Sequence, residues 1–201
     1  MREYKRFGWN DPAMVGSSEP RAAWHHVAPV HVEGLEDVKR KFFELTALDP
    51  GALDRATAPS HLTGSAVVFN YDATETLLLF HTKLQRWLQP GGHADGEANL
   101  ARVALKEAIE ESGISDLEIV DPAVDLDIHN VAPEGAEPVW HYDVRFVAFA
   151  PEGAVPVSNH ESQDIRWVGL DDVDSYELDE GHHRMIAAGK IVADQLISET
   201  A

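Results

Sequence analysis

The chain contains no cysteine. Structural disulfides, thiolate metal sites and cysteine nucleophiles are therefore excluded. Basic side chains are scarce as well: 16 Lys and Arg stand against 35 Asp and Glu, a formal net charge of −19. So acidic a surface disfavours nucleic-acid backbones and anionic membranes, whose phosphates it repels. A small anionic substrate is still admissible if a cation is supplied locally. Long hydrophobic runs are missing, and no stretch approaches the roughly 20 apolar residues of a membrane span. The opening MREYKRFGWNDPAMVGSS lacks the apolar core of a signal peptide. These absences describe a soluble, cytoplasmic protein with neither nucleic acid nor membrane as partner.

What is present suits a folded chain. Its 201 residues are 44% hydrophobic, enough to bury a core. Residues 1–20 read as irregular, and 35–48 carry apolar residues at threes and fours, which predicts a helix. A short helix is expected at 51–57. TGSAVVFNY and TETLLLFHTK read as an antiparallel strand pair, RWLQPGGHADG as a loop, and 98–112 as a helix stopped by Gly113. LEIVD, VDLDIHNVA, VWHYDVRFVAFA and DIRWVGL are strand candidates, with EGAEP turning a further hairpin. Residues 171–176 suit a turn or short helix, and 181–197 a last helix. Strands, helix, strands, helix is the order of an α+β chain, an α/β/α sandwich around a mixed sheet. Residues 1–60 form a helical extension and 61–201 the main domain in this reading.

The helix after the glycine turn raises a question. At about 100° per residue, Ala101, Ala104, Leu105, Ala108 and Ile109 share one side, and Glu107, Glu110 and Glu111 lie roughly opposite. Like charges at i,i+3 and i,i+4 each cost the helix a few tenths of a kcal/mol, and the last turn is where the dipole disfavours them. A solvated acidic face is the bland account. A bound divalent cation is the functional one, because carboxylate oxygens are what Mg²⁺ and Mn²⁺ take.

The order of residues between Pro90 and Ile114 favours the cation. It resembles the signature of the Nudix hydrolases: Gly, five residues, Glu, seven residues, then Arg-Glu-hydrophobic-x-Glu-Glu-x-Gly-hydrophobic. Gly92 takes the first position, and Lys106-Glu107-Ala108-Ile109-Glu110-Glu111-Ser112-Gly113-Ile114 the last nine. RWLQPGG resembles the lead-in. Two positions depart: Ala98 stands where the family has Glu, with Glu97 one residue early, and Lys106 stands for Arg. Lysine is a point charge without the bidentate fork that would orient the glutamates.

The resemblance implies a Nudix-like sandwich over roughly 61–175 and a Mg²⁺- or Mn²⁺-dependent pyrophosphohydrolase. The substrate would be a nucleoside diphosphate derivative or a nucleoside triphosphate. Glu107, Glu110, Glu111 and the Gly91 carbonyl would hold metal. The general base is left open between Glu110, Glu111 and a loop acid in NHESQD, with Glu161 ahead of Asp164. A homodimer is the default for the family. The alternative is a nucleotide-binding sensor on the same scaffold, without turnover.

Other polar residues are candidates for the pocket. In a strand over 140–146, His141, Asp143 and Arg145 share one face. The stripe is either a solvated face or, as taken here, a pocket wall that contacts substrate, with Arg145 gripping phosphate or pairing with Asp143 or a box glutamate. His129 could join them. His93 follows the glycine turn and is assigned to substrate. His81, Lys83 and Arg86 precede it. The adjacent pairs His25-His26 and His182-His183 lack zinc-ligand spacing. Trp24, Trp87 and Trp140 suit base stacking or core packing.

Overall fold

A computed structural model describes residues 3–56, 59–131 and 138–200. It shows one mixed sheet of eight strands: β1 (Lys5–Gly8), β2 (Ser60–Phe69), β3 (Glu75–His81), β4 (Arg86–Leu88), β5 (Gly91–His93), β6 (Glu118–Val131), β7 (Val139–Phe149) and β8 (Ser162–Gly169). The helices are α1 (Trp24–Val27), α2 (Glu36–Leu48), α3 (Leu100–Ser112) and α4 (Glu180–Thr200). The main path is β1-β6-β7-β2-β3-β4, while β5 adds to β2 and β8 to β3. One pairing is parallel, β2 with β7 in unbroken register from Ser60↔Trp140 to Phe69↔Phe149.

β2 is the centre of the sheet, and its alternation sorts the two faces. Leu62, Ala66 and Val68 join the apolar cluster under α3, with Leu126, Val144 and Phe146 beside them. Val67 and Phe69 point the other way and pack with Val147, Phe149 and the α4 residues Met185, Val192 and Ala193. Helices thus cover both faces, which is the expected sandwich. The α4 face changes character along β2. Past Val67 come Ser65, Thr63 and His61, and these three are buried but polar.

Residues before β2 do more than extend the chain. β1 pairs antiparallel with β6, Lys5↔Asp121 to Gly8↔Glu118. Val27, Val30 and Phe42 share the cluster under α3. The Phe42 ring meets Tyr142 edge-on at 5.2 Å.

Several expectations shift. Residues 1–20 include β1, which four residues of mixed polarity do not announce. The helix expected at 51–57 is a series of turns over 51–56. The loop 86–96 contains β4 and β5. LEIVD and VDLDIHNVA are one strand, β6, whose register shifts between Val120 and Asp125. The β2–β3 pair is antiparallel with Phe69 opposite Thr76, but β3 runs mainly beside β8. The hairpin turn at EGAEP falls largely outside the described residues. No described helix is long and apolar enough to cross a membrane.

Candidate active site

α3 is built to lie flat on the sheet. Asn99 caps it by accepting from the Arg102 N–H at 3.2 Å, and Gly113 ends it with φ +69°. Leu100, Ala101, Ala104, Leu105 and Ala108 are buried against the strands. The approach is close enough that a Cβ on Gly64 of β2 would stand 2.7 Å from the Leu100 carbonyl oxygen.

The three glutamates are not equally placed. Glu110 is 55% exposed at its side chain and Glu107 19%. Glu111 is buried, at the edge of the apolar side rather than opposite it. The glycine turn accounts for this. The Gly91 N–H donates to Glu111 Oε2 at 2.9 Å. Gly92 leaves the room that Glu107 occupies, for a Cβ there would lie 2.5 Å from Glu107 Cδ. Burial pushes the Glu111 carboxyl up to about 8, and the Gly91 hydrogen bond only partly opposes it. Burial raises Glu107 as well. A buried carboxylate and a half-buried one, both raised by burial, suit a divalent cation.

Lys106 is the basic partner. Its Nζ lies 3.1 Å from Glu107 Oε1 and 3.2 Å from Glu110 Oε2, two single contacts where a guanidinium could fork. Glu97 serves elsewhere: its Oε1 accepts from the N–H groups of Ser17 at 2.7 Å and Asn99 at 2.8 Å. Ala98 beside it is fully buried.

A cavity of about 680 Å³ opens beside the glutamates. Lys106, Glu107, Glu110 and Glu161 line one side, and His61, His93 and His141 the other. Arg55, His81 and Lys83 add basic groups to its wall. The ladder explains the imidazoles. His61 is opposite His141 across β2 and β7, Thr63 is opposite His93 across β2 and β5, and His129 is opposite His141 across β6 and β7. Residues of matching parity share a face, so these side chains converge on the polar end of the α4 face. Gly92, one residue from His93, faces α3 instead. Since β5 is an edge strand, the cavity reaches both faces around it. Burial, with the charge of Arg55 next, lowers His93 to about 4. Burial, with the neighbouring imidazoles next, lowers His141 to about 3. Both rings are therefore neutral near pH 7.

Glu161 also closes a smaller recess with Glu107, Glu110 and Glu111. Asp164 is ion-paired with Arg166 and lines neither space. Asp143 lies deeper, accepting from Thr63 Oγ1 at 2.9 Å and Ser65 Oγ at 2.7 Å. Arg145 does not face the cavity. Only 2% exposed, it donates to Asp143 at 2.9 Å, Asp127 at 3.1 Å, Asp125 at 3.3 Å and the Gly181 carbonyl at 2.9 Å. Of the options left open for it, the pairing with Asp143 is the one present. Its guanidinium has little left to offer a phosphate. Arg86 is also absent from the cavity lining.

The remaining candidates have local partners. His26 Nδ1 meets Asp121 at 3.0 Å, and His182 is bonded to Asp179. Trp24 packs edge-on against Phe43, and Trp87 against Phe80 and Tyr176, whereas Trp140 is 45% exposed. Sequence reasoning missed Arg55 and His61. Both lie outside the glycine-to-glutamate motif, and only the strand register brings His61 to His141.

This arrangement coincides with a known domain: the NUDIX domain matches residues 61–189. The chain belongs to the NUDIX family, and it is a hydrolase acting on pyrophosphate bonds. Solved structures share the fold. A C. elegans Ap4A hydrolase in a binary complex superposes with a TM-score of 0.55 at 19% identity, covering 67% of this chain and 98% of its own. A NUDIX hydrolase from Clostridium perfringens gives 0.53 at 18%, over 68% and 97%. The NUDIX domain of Shewanella oneidensis NrtR with ADP ribose gives 0.50 at 23%, over 68% and 90%. No curated protein matches the sequence.

Proposed function

We propose that the protein is a Mg²⁺- or Mn²⁺-dependent pyrophosphohydrolase that cleaves the diphosphate linkage of a nucleoside diphosphate derivative or a nucleoside triphosphate. The observation that carries this is the joint lining of one cavity by Glu107 and Glu110 of α3 and by Arg55, Lys83 and Lys106, with Glu111 in the adjoining recess beside the same two glutamates. The donor set fits the ion: three carboxylates on one helix, two of them pushed up by burial, and a glycine turn with no side chain in the way. Glu107, Glu110, Glu111 and the Gly91 carbonyl would hold it. When bound, the metal supplies charge neutralisation and a more acidic water.

The protein's own groups do the rest. Glu161, which lines the cavity and the adjoining recess with the α3 glutamates, would take a proton from the attacking water. Arg55 and Lys83 orient the anionic substrate in a chain that otherwise repels it. Lys106 keeps Glu107 and Glu110 paired until the site is loaded.

The test is product release from a panel with and without Mg²⁺ or Mn²⁺, comparing wild type with Glu111→Gln. The panel holds ADP-ribose, diadenosine tetraphosphate, NADH, FAD, a nucleotide sugar and the nucleoside triphosphates. Metal-dependent turnover that the variant loses supports the proposal. Nucleotide binding without turnover on the whole panel would replace it with the sensor reading.

A further inference from the structure

We infer that His61, His93 and His141 form a second metal site, for a borderline divalent transition ion of the Zn²⁺ type, separate from the carboxylate site on α3. Their ring centroids lie 5.0 Å apart for His61–His93, 4.8 Å for His61–His141 and 5.0 Å for His93–His141. One nitrogen from each ring falls within 4.8 Å of the others. In a tetrahedral site with Zn–N of about 2.0–2.1 Å, ligand nitrogens are roughly 3.4 Å apart. Rotating the imidazoles inward closes that difference while the strands stay in place.

The scaffold favours a site over a chance cluster. The three histidines sit on adjacent strands whose ladder fixes their spacing. His61 is buried and the other two are half-buried, which limits the entropy lost on binding. The chemistry also differs from that of the box. Imidazole selects Zn²⁺ and its neighbours, whereas carboxylate oxygens select Mg²⁺ and Mn²⁺. Three protein ligands leave a fourth position open, and all three residues line the 680 Å³ cavity. That position takes water or an anionic oxygen of whatever occupies the cavity. His129, its ring 5.4 Å from His141 and its Nδ1 bonded to Asp127 at 2.9 Å, lies beside the trio.

Arg55 opposes loading. Its guanidinium reaches His93 Nδ1 at 3.0 Å and is anchored on Asp95. A metal on His93 requires Arg55 to withdraw, so removing it should tighten binding.

The intact protein is titrated with Co²⁺ and then Zn²⁺ under excess Mg²⁺. The expected result is one equivalent of Co²⁺ with the visible bands of a four-coordinate ion, displaced by Zn²⁺. The bands vanish in His141→Ala and His93→Gln, persist in Glu111→Gln, and appear at lower Co²⁺ in Arg55→Ala. Mn²⁺ binding at the carboxylates checks that each histidine variant is folded. If His141→Ala does not fold, the edge-strand variant His93→Gln carries the test. Absence of stoichiometric binding overturns the inference. So does binding that survives the histidine variants, or that disappears in Glu111→Gln. The readout is metal binding, so it stands apart from whether the protein turns over a nucleotide.

Discussion

The Gly91 N–H donates to Glu111 Oε2 at 2.9 Å, joining the glycine turn to the last glutamate of the motif. That bond holds the carboxylate where burial makes it costly to ionise. With a folded pKa of about 8 against about 4.3 in the unfolded chain, the unfolded state gives up its proton first. Stability from this group is present below about pH 4.3 and is lost as pH rises towards 8. In chelator, Glu111→Gln should therefore stabilise the protein increasingly from pH 5 to pH 8, by on the order of a few kcal/mol. Mg²⁺ should raise the wild-type melting temperature and leave the variant's little changed. A variant melting temperature that tracks wild type across this range would contradict the burial argument. Activity should fall by at least about a hundredfold, since metal-derived charge stabilisation is worth several kcal/mol.

Gly64 and Gly92 are opposite one another across β2 and β5, yet they should fail differently. A Cβ on Gly64 meets the Leu100 carbonyl oxygen and the Ala104 backbone nitrogen, neither of which can move without α3. Gly64→Ala should cost about 1–3 kcal/mol or more, read by urea unfolding. At Gly92 the obstacle is the Glu107 side chain, which can swing away. Gly92→Ala should unfold nearly as wild type but need more Mn²⁺ for half-saturation.

The motif from Gly92 to Ile114 was legible because its chemistry is local. Helix period, cap and metal-binding carboxylates all lie within one stretch. The strands around it were legible as apolar runs, but not their partners. Nothing near His61 says that it meets His141, eighty residues on, because that is a property of the parallel β2–β7 register. β5 was hidden for a related reason: Gly91–His93 has no strand propensity and is extended only because β2 offers it hydrogen bonds. Arg145 was read on the correct face, but whether that face was wet could not be seen. Asp125 and Asp127, which claim its guanidinium, come from another strand.

Glu161 and Asp164 are three residues apart and should separate cleanly. Glu161 lines both recesses beside α3, while Asp164 is spent on Arg166. Glu161→Gln should lower kcat by about 10²–10⁴-fold, the range for a general base, and flatten the acidic limb of the pH–rate profile. Asp164→Asn should stay within a few-fold of wild type. The reverse ranking would move the base to Asp164, and equal small effects would return it to α3.

Arg145 should matter to folding and not to substrate affinity. It holds Asp125, Asp127 and Asp143 together, and Arg184 braces the same group from α4 at 2.8 Å from Asp125 Oδ1. Burial would raise Asp127, but His129 and the Arg145 charge outweigh it, so its carboxyl is held below the usual range. Removing the central cation leaves buried carboxylates uncompensated, which costs about 3–5 kcal/mol. Arg145→Met should show that loss in urea unfolding. Arg145→Lys keeps the charge but not the fork, and should recover only part of the stability. In both variants the folded fraction should keep its KM. A KM raised many-fold at unchanged stability would instead show that the guanidinium reaches substrate.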